Sequence, residues 1–155
     1  MAQLGEGDAA PDFKLPGDDG GEIALASFKG EKLVLYFYPK ADTSGCTKEA
    51  NEFNDLLKDF GKAGVCVLAV SPDPVKALHK FKTKYGLGFK LVGDESHAML
   101  EAYGVWAQKS MYGRSYMGVE RSTFLIGKDG RIAKAWRKVK VEGHASEVLD
   151  AARAL

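Results

Sequence analysis

Cys46 closes the frame Pro39-Lys40-Ala41-Asp42-Thr43-Ser44-Gly45-Cys46, in which a short polar loop leaves an apolar segment and enters a helical one. A thiol placed there can act as a nucleophile. The first turn of a helix leaves backbone N–H groups unpaired and carries the positive end of the helix dipole, so an anionic sulfur is stabilised. A free cysteine is more often a small buried hydrophobe. Here polar Thr43, Ser44, Gly45, Thr47 and Lys48 surround the thiol and argue against a buried apolar setting.

The elements that must position this thiol can be read on both sides of it. Residues 32–38 (Lys-Leu-Val-Leu-Tyr-Phe-Tyr) form an apolar, β-rich run of the kind buried in a parallel sheet. Beyond Cys46, the apolar residues Ala50, Phe53, Leu56, Leu57 and Phe60 recur at helical spacing, and the glycines at 61 and 64 stop the pattern, so a helix is expected from about 46 to 61. The run Val65-Cys66-Val67-Leu68-Ala69-Val70 then reads as a second buried strand, which completes a βαβ unit.

Upstream, two short apolar segments around Asp18-Asp19-Gly20-Gly21 predict an N-terminal β-hairpin. Downstream, Pro74 to Tyr85 carries Leu78 and Phe81 at helical spacing, 89–92 is strand-like, and Ser96 to Tyr103 reads as a short helix. Residues 121–127 and 131–136 flank Lys128-Asp129-Gly130 as a second hairpin with a type I′-compatible Asp-Gly pair. A final helix from Ala145 to Leu155 presents Val148, Leu149 and Ala152 on one face, with Ser146 or Gly143-His144 at its start as cap. The stretch 103–120 holds Trp106, Met111, Tyr112, Tyr116 and Met117 between polar residues without clean periodicity; it reads as a partly buried loop, with a mobile cover or partner surface as the alternative. The expected fold class is α/β, a central mixed sheet flanked by helices, with the nucleophile at the C-terminal end of a strand where open α/β sheets place their sites.

At 155 residues and 45% hydrophobic content, the chain is expected to form one domain over 1–155. Lys plus Arg total 22 against 21 for Asp plus Glu, which gives no basic excess for nucleic acid or anionic lipid. The start Met-Ala-Gln-Leu-Gly-Glu-Gly-Asp has neither a basic region nor an apolar one, and no stretch approaches a membrane span, so a soluble cytoplasmic protein is expected. Cys46 and Cys66, 20 positions apart, match neither a disulfide scaffold nor a zinc pattern. No Walker-type glycine loop precedes a helix, and no metal, haem, flavin or nucleotide site is evident, so cofactor-free chemistry is expected.

The pattern Pro39-x-x-x-Thr43-x-x-Cys46 within YFYPKADTSGCTKEA, followed far downstream by Arg121-Ser-Thr-Phe-Leu-Ile, resembles the peroxiredoxins of the bacterioferritin comigratory protein, or PrxQ, subfamily. The resemblance runs from Gly7-Asp8-Ala9-Ala10-Pro11-Asp12-Phe13 through Ser71-Pro72-Asp73 to Gly143-His144. It implies a thioredoxin-like fold and thiol-dependent reduction of hydrogen peroxide and organic hydroperoxides through a sulfenic acid on Cys46. By the same resemblance, Thr43 and the N–H groups near Cys46 hold the peroxide, Arg121 stabilises thiolate and transition state, Pro39 shields the nucleophile and Glu49 orients the arginine. The roles suit the residue types, since attack on one peroxide oxygen expels the other as an anion that needs convergent donors. Taken singly, Thr43 is an ordinary loop or cap residue, Glu49 a first-turn glutamate on the helix dipole and Arg121 a strand-end charge.

The chain departs from many such relatives in its second cysteine: the two places where one recurs are Asn51 and about Lys82. Cys66 remains, yet a parallel βαβ unit puts it at the end of the sheet opposite Cys46. A five-residue strand spans roughly 17 Å, against the roughly 7 Å between Cα atoms that a disulfide allows. Cys66 is therefore expected in the core, and the cycle is expected to be of one-cysteine type, resolved by an external thiol such as thioredoxin or glutaredoxin with glutathione, in a monomer or weak dimer. Recycling through Cys66 and a peroxide-sensing protein without turnover are the alternatives. A thiol–disulfide oxidoreductase would need Cys-x-x-Cys, and positions 43 and 49 are Thr and Glu. A cysteine hydrolase would need a histidine base, whereas His79, His97 and His144 read as structural or surface residues.

Overall fold

The computed structural model describes residues 4–155; residues 1–3, on which the reading of the N-terminal start partly rests, lie outside the described residues. A turn over 17–21 joins β1 (Lys14–Pro16) to β2 (Glu22–Ala24), giving the expected N-terminal hairpin, and a 3₁₀ turn (Leu25–Phe28) leads to β3 (Lys32–Phe37). There follow α1 (Ser44–Asp55), α2 (Leu57–Lys62), β4 (Val65–Ser71), α3 (Val75–Tyr85), β5 (Lys90–Gly93) and α4 (Ala98–Ala102). The remainder comprises β6 (Trp106–Met111), β7 (Arg114–Val119), β8 (Ser122–Ile126), β9 (Ile132–Trp136) and α5 (His144–Ala154).

The central sheet runs β5-β4-β3-β8-β9, with β3, β4 and β5 parallel and β8 and β9 antiparallel to their neighbours. This is the mixed sheet of a thioredoxin-like fold. Alternation along β3 sorts the core into two halves. Val34 and Tyr36 join Val65, Val67 and Ala69 of β4 beneath Phe53, Phe60, Phe81 and Val148 from the helices. Leu33, Leu35 and Phe37 join Leu68, Val70, Phe124 and Ile126 on the opposite face, covered by Phe13, Ile23, Met99, Leu100 and Tyr103. The nucleophile's helix therefore lies on the even-numbered face of β3.

Three sequence expectations are corrected. The helix expected over 46–61 is two helices, broken at Leu56 (φ −99°, ψ 5°), whose N–H turns back to Phe53 O at 3.2 Å. Adjacent residues on one straight helix point about 100° apart, and the break lets both Leu56 and Leu57 pack against the helix-side core. Residues 103–120 are not a loop: β6 and β7 pair in register from Trp106↔Val119 to Met111↔Arg114. Their root is buried at Val105 and Val119, while Tyr112 at the tip is 98% exposed. A two-stranded ribbon with solvent on much of both faces leaves no apolar alternation to read.

The Lys128–Gly130 turn is not type I′, because only Gly130 takes a positive φ, 77°, with its N–H on Gly127 O at 3.0 Å. Type I′ needs positive φ at both central residues. The start of α5 falls where expected: Gly143 (φ 75°) is its N-cap, without a side-chain cap bond, and Ser146 lies inside the helix. His144 turns inward, its Nε2 2.8 Å from Thr123 Oγ1, and burial pushes its pKa down to about 4.

Among the described residues no helix is long and apolar enough to cross a membrane, and no group of His, Cys, Asp and Glu could hold a metal ion.

Candidate active site

The loop after β3 is pinned from outside before it reaches the thiol. The Ala41 N–H donates to Asp73 Oδ2 at 2.8 Å, and the same oxygen accepts the Ser71 hydroxyl at 2.7 Å. Asp42 adopts a left-handed backbone (φ 63°), and its carboxylate accepts the Tyr85 hydroxyl and, at 2.9 Å, the Lys84 ammonium, both at the end of α3. Thr43 is the residue before α1, in extended conformation (φ −90°, ψ 158°). Its hydroxyl makes no cap bond and donates to Lys40 O at 2.8 Å.

Cys46 is therefore the third residue of α1, within the turn whose N–H groups have no intrahelical acceptor. It is only 2% exposed and packs with Tyr36, Tyr38 and Ala50 in the helix-side core. This corrects the expectation drawn from its polar neighbours. The first turn is pressed against the sheet, so the polar residues face outward while the sulfur points in.

Arg121, one residue before β8, supplies the charge. Its Nη2 donates to Cys46 Sγ at 3.3 Å and its Nη1 to Glu49 Oε1 at 2.6 Å. Residues three apart share a helix face, so one planar guanidinium spans thiol and carboxylate together. Gly45 lies against the guanidinium, where a Cβ would sit 3.4 Å from Arg121 Nη2, in ordinary contact. Glu49 is 1% exposed; burial pushes its pKa up to about 7, against the opposing pull of Arg121, and its Oε2 has no hydrogen-bond partner among the described residues. The Tyr36 phenol is raised above its ordinary range by burial first and then by the neighbouring Glu49, Tyr38 and Cys46.

Of the five residues singled out from the sequence, the structure links Cys46, Glu49 and Arg121 directly. Thr43 stands at the helix start with its hydroxyl on the loop, and Pro39 lies half-buried at the loop's entry. Three further residues border the site without having been read from the sequence. Asp42 and Asp73 hold the loop, and Lys109 of β6 is half-buried, with its ammonium pKa lowered by burial and by Arg121, while Cys46 and Glu120 oppose the shift. Asp42 lay inside the quoted frame, but its partners 42 and 43 positions later carry no spacing signal.

Cys66 lies elsewhere. It pairs with Leu33 at the start of β3 and packs with the core half opposite that of Cys46. The strand from Leu33 to Phe37 alone covers about 13 Å before the loop begins. The two thiols therefore sit toward opposite ends and on opposite faces of the sheet. Cys66 is half-buried rather than a full core residue, and its thiol donates to Glu31 Oε2 at 3.3 Å. Burial, then Glu31, pushes its pKa up, which disfavours the reactive thiolate.

An arrangement of one buried sulfur, a fixed cation on it and free N–H groups at a helix start can stabilise a thiolate and the charge on an oxygen leaving it. Comparison with known proteins agrees with that chemistry. The profile of the AhpC/TSA family matches residues 6–135. Peroxiredoxin Bcp of Bacillus subtilis is 48% identical over 143 residues, covering 92% of this chain and 91% of its own. Peroxiredoxin Bcp of Escherichia coli is 42% identical over 150 residues, covering 97% of this chain and 96% of its own. Among solved structures, Xanthomonas campestris peroxiredoxin Q superposes with a TM-score of 0.88 at 46% identity, over 92% of this chain and 90% of that one. A cysteine-to-serine mutant of Xylella fastidiosa PrxQ superposes with a TM-score of 0.94 at 40% identity, over 99% and 98% of the two chains.

Proposed function

Because the chain belongs to the AhpC/TSA family and, within it, to the bacterioferritin comigratory protein or PrxQ peroxiredoxins, which are thiol-dependent peroxidases, we propose that it runs a one-cysteine cycle on Cys46 with hydrogen peroxide and organic hydroperoxides. The Arg121 bridge between Cys46 Sγ and Glu49 Oε1 is the observation that carries the reading. A Xanthomonas campestris bacterioferritin comigratory protein described for alkyl peroxide reduction superposes with a TM-score of 0.90 at 45% identity, which supports the substrate class.

The Cys46 thiolate attacks one peroxide oxygen and the O–O bond breaks. The other oxygen leaves as hydroxide or alkoxide and takes a proton to become water or an alcohol. Arg121 offsets the negative charge as it moves from sulfur to oxygen. The first-turn N–H groups and the Thr43 hydroxyl hold the peroxide in line, Pro39 shields the sulfur, and Glu49 keeps the guanidinium aimed. The resulting sulfenic acid condenses with an external thiol, releasing water, and a second thiol regenerates Cys46 by exchange. Thioredoxin or glutaredoxin with glutathione supplies those thiols in a cytoplasmic setting, and residues 1–155 act as one domain, a monomer or weak dimer.

The placement of the other candidates supports external resolution. Position 51 is an exposed asparagine, Lys82 is paired with Asp18 at 3.2 Å, and Cys66 lies across the sheet. The test is intact mass with free-thiol titration after one equivalent of hydrogen peroxide, on wild type and Cys66→Ser. One oxygen on Cys46 with Cys66 still free, unchanged in Cys66→Ser, is the expected result. Loss of two thiols in wild type, prevented by Cys66→Ser, would instead establish recycling through Cys66.

Glu49 adds a pH dependence. As pH falls through about 7 its carboxylate takes a proton and its hold on Arg121 drops from a charge-assisted bond to a neutral one. The rate of peroxide attack should therefore fall on acidification through that point. Glu49→Gln should lack this limb and run about tenfold slower at pH 8, the scale of a lost charge-assisted bond. Stopped-flow rates between pH 5 and 9 check it; an identical limb in Glu49→Gln would assign the pH dependence to another group.

A further inference from the structure

We propose that Asp42 is a positioning residue whose carboxylate, gripped by Tyr85 and Lys84, clamps the loop before Cys46 and sets the balance between peroxide attack and resolution by a thiol. The proposal rests on the assignment of Cys46 as the peroxidatic residue.

Three observations meet at this position. First, Asp42 is an aspartate at φ 63° within a loop of three residues between Pro39 and Thr43. Aspartate enters the left-handed region more readily than most L-residues, at a cost that contacts of its side chain can offset. What holds Asp42 is its side chain, which accepts the Tyr85 hydroxyl through one oxygen and the Lys84 ammonium, at 2.9 Å, through the other. Second, the grip is anchored in the core. The Tyr85 ring meets that of buried Phe81 edge-on at 5.4 Å, and the Lys84 ammonium lies 5.3 Å from the Tyr85 ring centroid. The loop is thus tied to α3, while the Ala41–Asp73 bond ties it to the segment after β4.

Third, the two half-reactions place opposite demands on the segment. Peroxide is small and reacts where Arg121, the first-turn N–H groups and the buried sulfur are all in place. A thiol must approach a sulfur that is 2% exposed, so residues 41–46 have to move before resolution. The clamp opposes that motion. Its side chains are 41% and 53% exposed at Asp42 and Lys84, so water competes for them and the grip is modest. A latch that opens in every cycle requires that strength.

The prediction has opposite signs in the two steps. Asp42→Asn keeps a residue tolerant of the left-handed backbone but removes the charge, and Tyr85→Phe removes one donor. In single-turnover measurements, each should slow Cys46 oxidation by hydrogen peroxide and speed resolution of its sulfenic acid by dithiothreitol. The expected size is about two- to fivefold, the range of exposed charge-assisted contacts. Over-oxidation at high peroxide, read by intact mass, should fall, and hydrogen exchange at 41–47 should rise. The double variant should show less than the product of the two single effects, because both act on one clamp.

Asp42→Gly separates the clamp from backbone strain. It relieves the left-handed conformation yet lacks the carboxylate, so it should behave as Asp42→Asn. Wild-type rates in Asp42→Gly, or both steps slowing together in variants whose Tm is unchanged, would overturn the clamp. A wild-type Cys46 that does not react with peroxide would instead overturn the underlying assignment.

Discussion

Arg121→Met should lower the rate of peroxide attack at Cys46 by about 10²- to 10³-fold, the loss typical of removing a preorganised donor from a reacting centre. The substitution keeps an unbranched chain of similar reach and removes both contacts of the guanidinium, at 3.3 Å to the sulfur and 2.6 Å to Glu49. The fold should survive. Burial already pushes Glu49 up to about 7, so without its partner the carboxyl takes a proton and no uncompensated charge remains inside. Arg121→Lys should recover part of the rate, since it restores a charge without the planar fork that serves two acceptors together. Stopped-flow oxidation with hydrogen peroxide gives the number; a loss smaller than about threefold, against the expected range, would remove Arg121 from the chemistry.

Phe53→Ala should cost about 3–5 kcal/mol of folding stability. That is a large part of the roughly 5–15 kcal/mol available to a domain of this kind. Phe53 is fully buried and stacks on Tyr36 with ring centroids 4.4 Å apart and planes 4° from parallel. It also meets Phe60 at 5.9 Å and His144 at 6.1 Å, so one side chain ties α1 to the sheet, to α2 and to α5. Cys46 and Glu49 lie on the same helix, two turns and one turn before it. Urea titration should show a lower midpoint at an unchanged slope, and the rate of peroxide attack should fall with it. A loss below about 1 kcal/mol, the level of an ordinary substitution, would mean that the cavity collapses and that the stack does not hold α1.

The parallel core of the sheet was legible because β3 and β4 are continuous apolar runs, at 32–38 and 65–70, with a helix or turn signal on either side; β8 and β9 were legible from the Lys128-Asp129-Gly130 turn between them. The break at Leu56 was not, because two adjacent leucines satisfy helical spacing whether or not the axis bends there. The β6–β7 ribbon escaped for a different reason: exposed on both faces, it carries no burial pattern. At the site, the resemblance carried by the frame from Pro39 to Cys46 and the distant Arg121 pointed to the residues. Their contacts needed the fold, since the bond from Arg121 to Cys46 spans 75 positions. The depth of Cys46 was misread because the polar residues around it describe the outer side of the first turn and say nothing of the side facing Tyr36.

In the proposed one-cysteine cycle, the sheet that separates Cys46 from Cys66 also governs how long the sulfenic acid lasts. A peroxidase with a second sulfur within reach closes its sulfenic acid into a disulfide without waiting for a partner, although an outside thiol must still reduce that disulfide. With the second sulfur across the sheet, the sulfenic acid proposed for this chain would last until an outside thiol arrives. Its duration would then report the supply of reducing thiol in its surroundings.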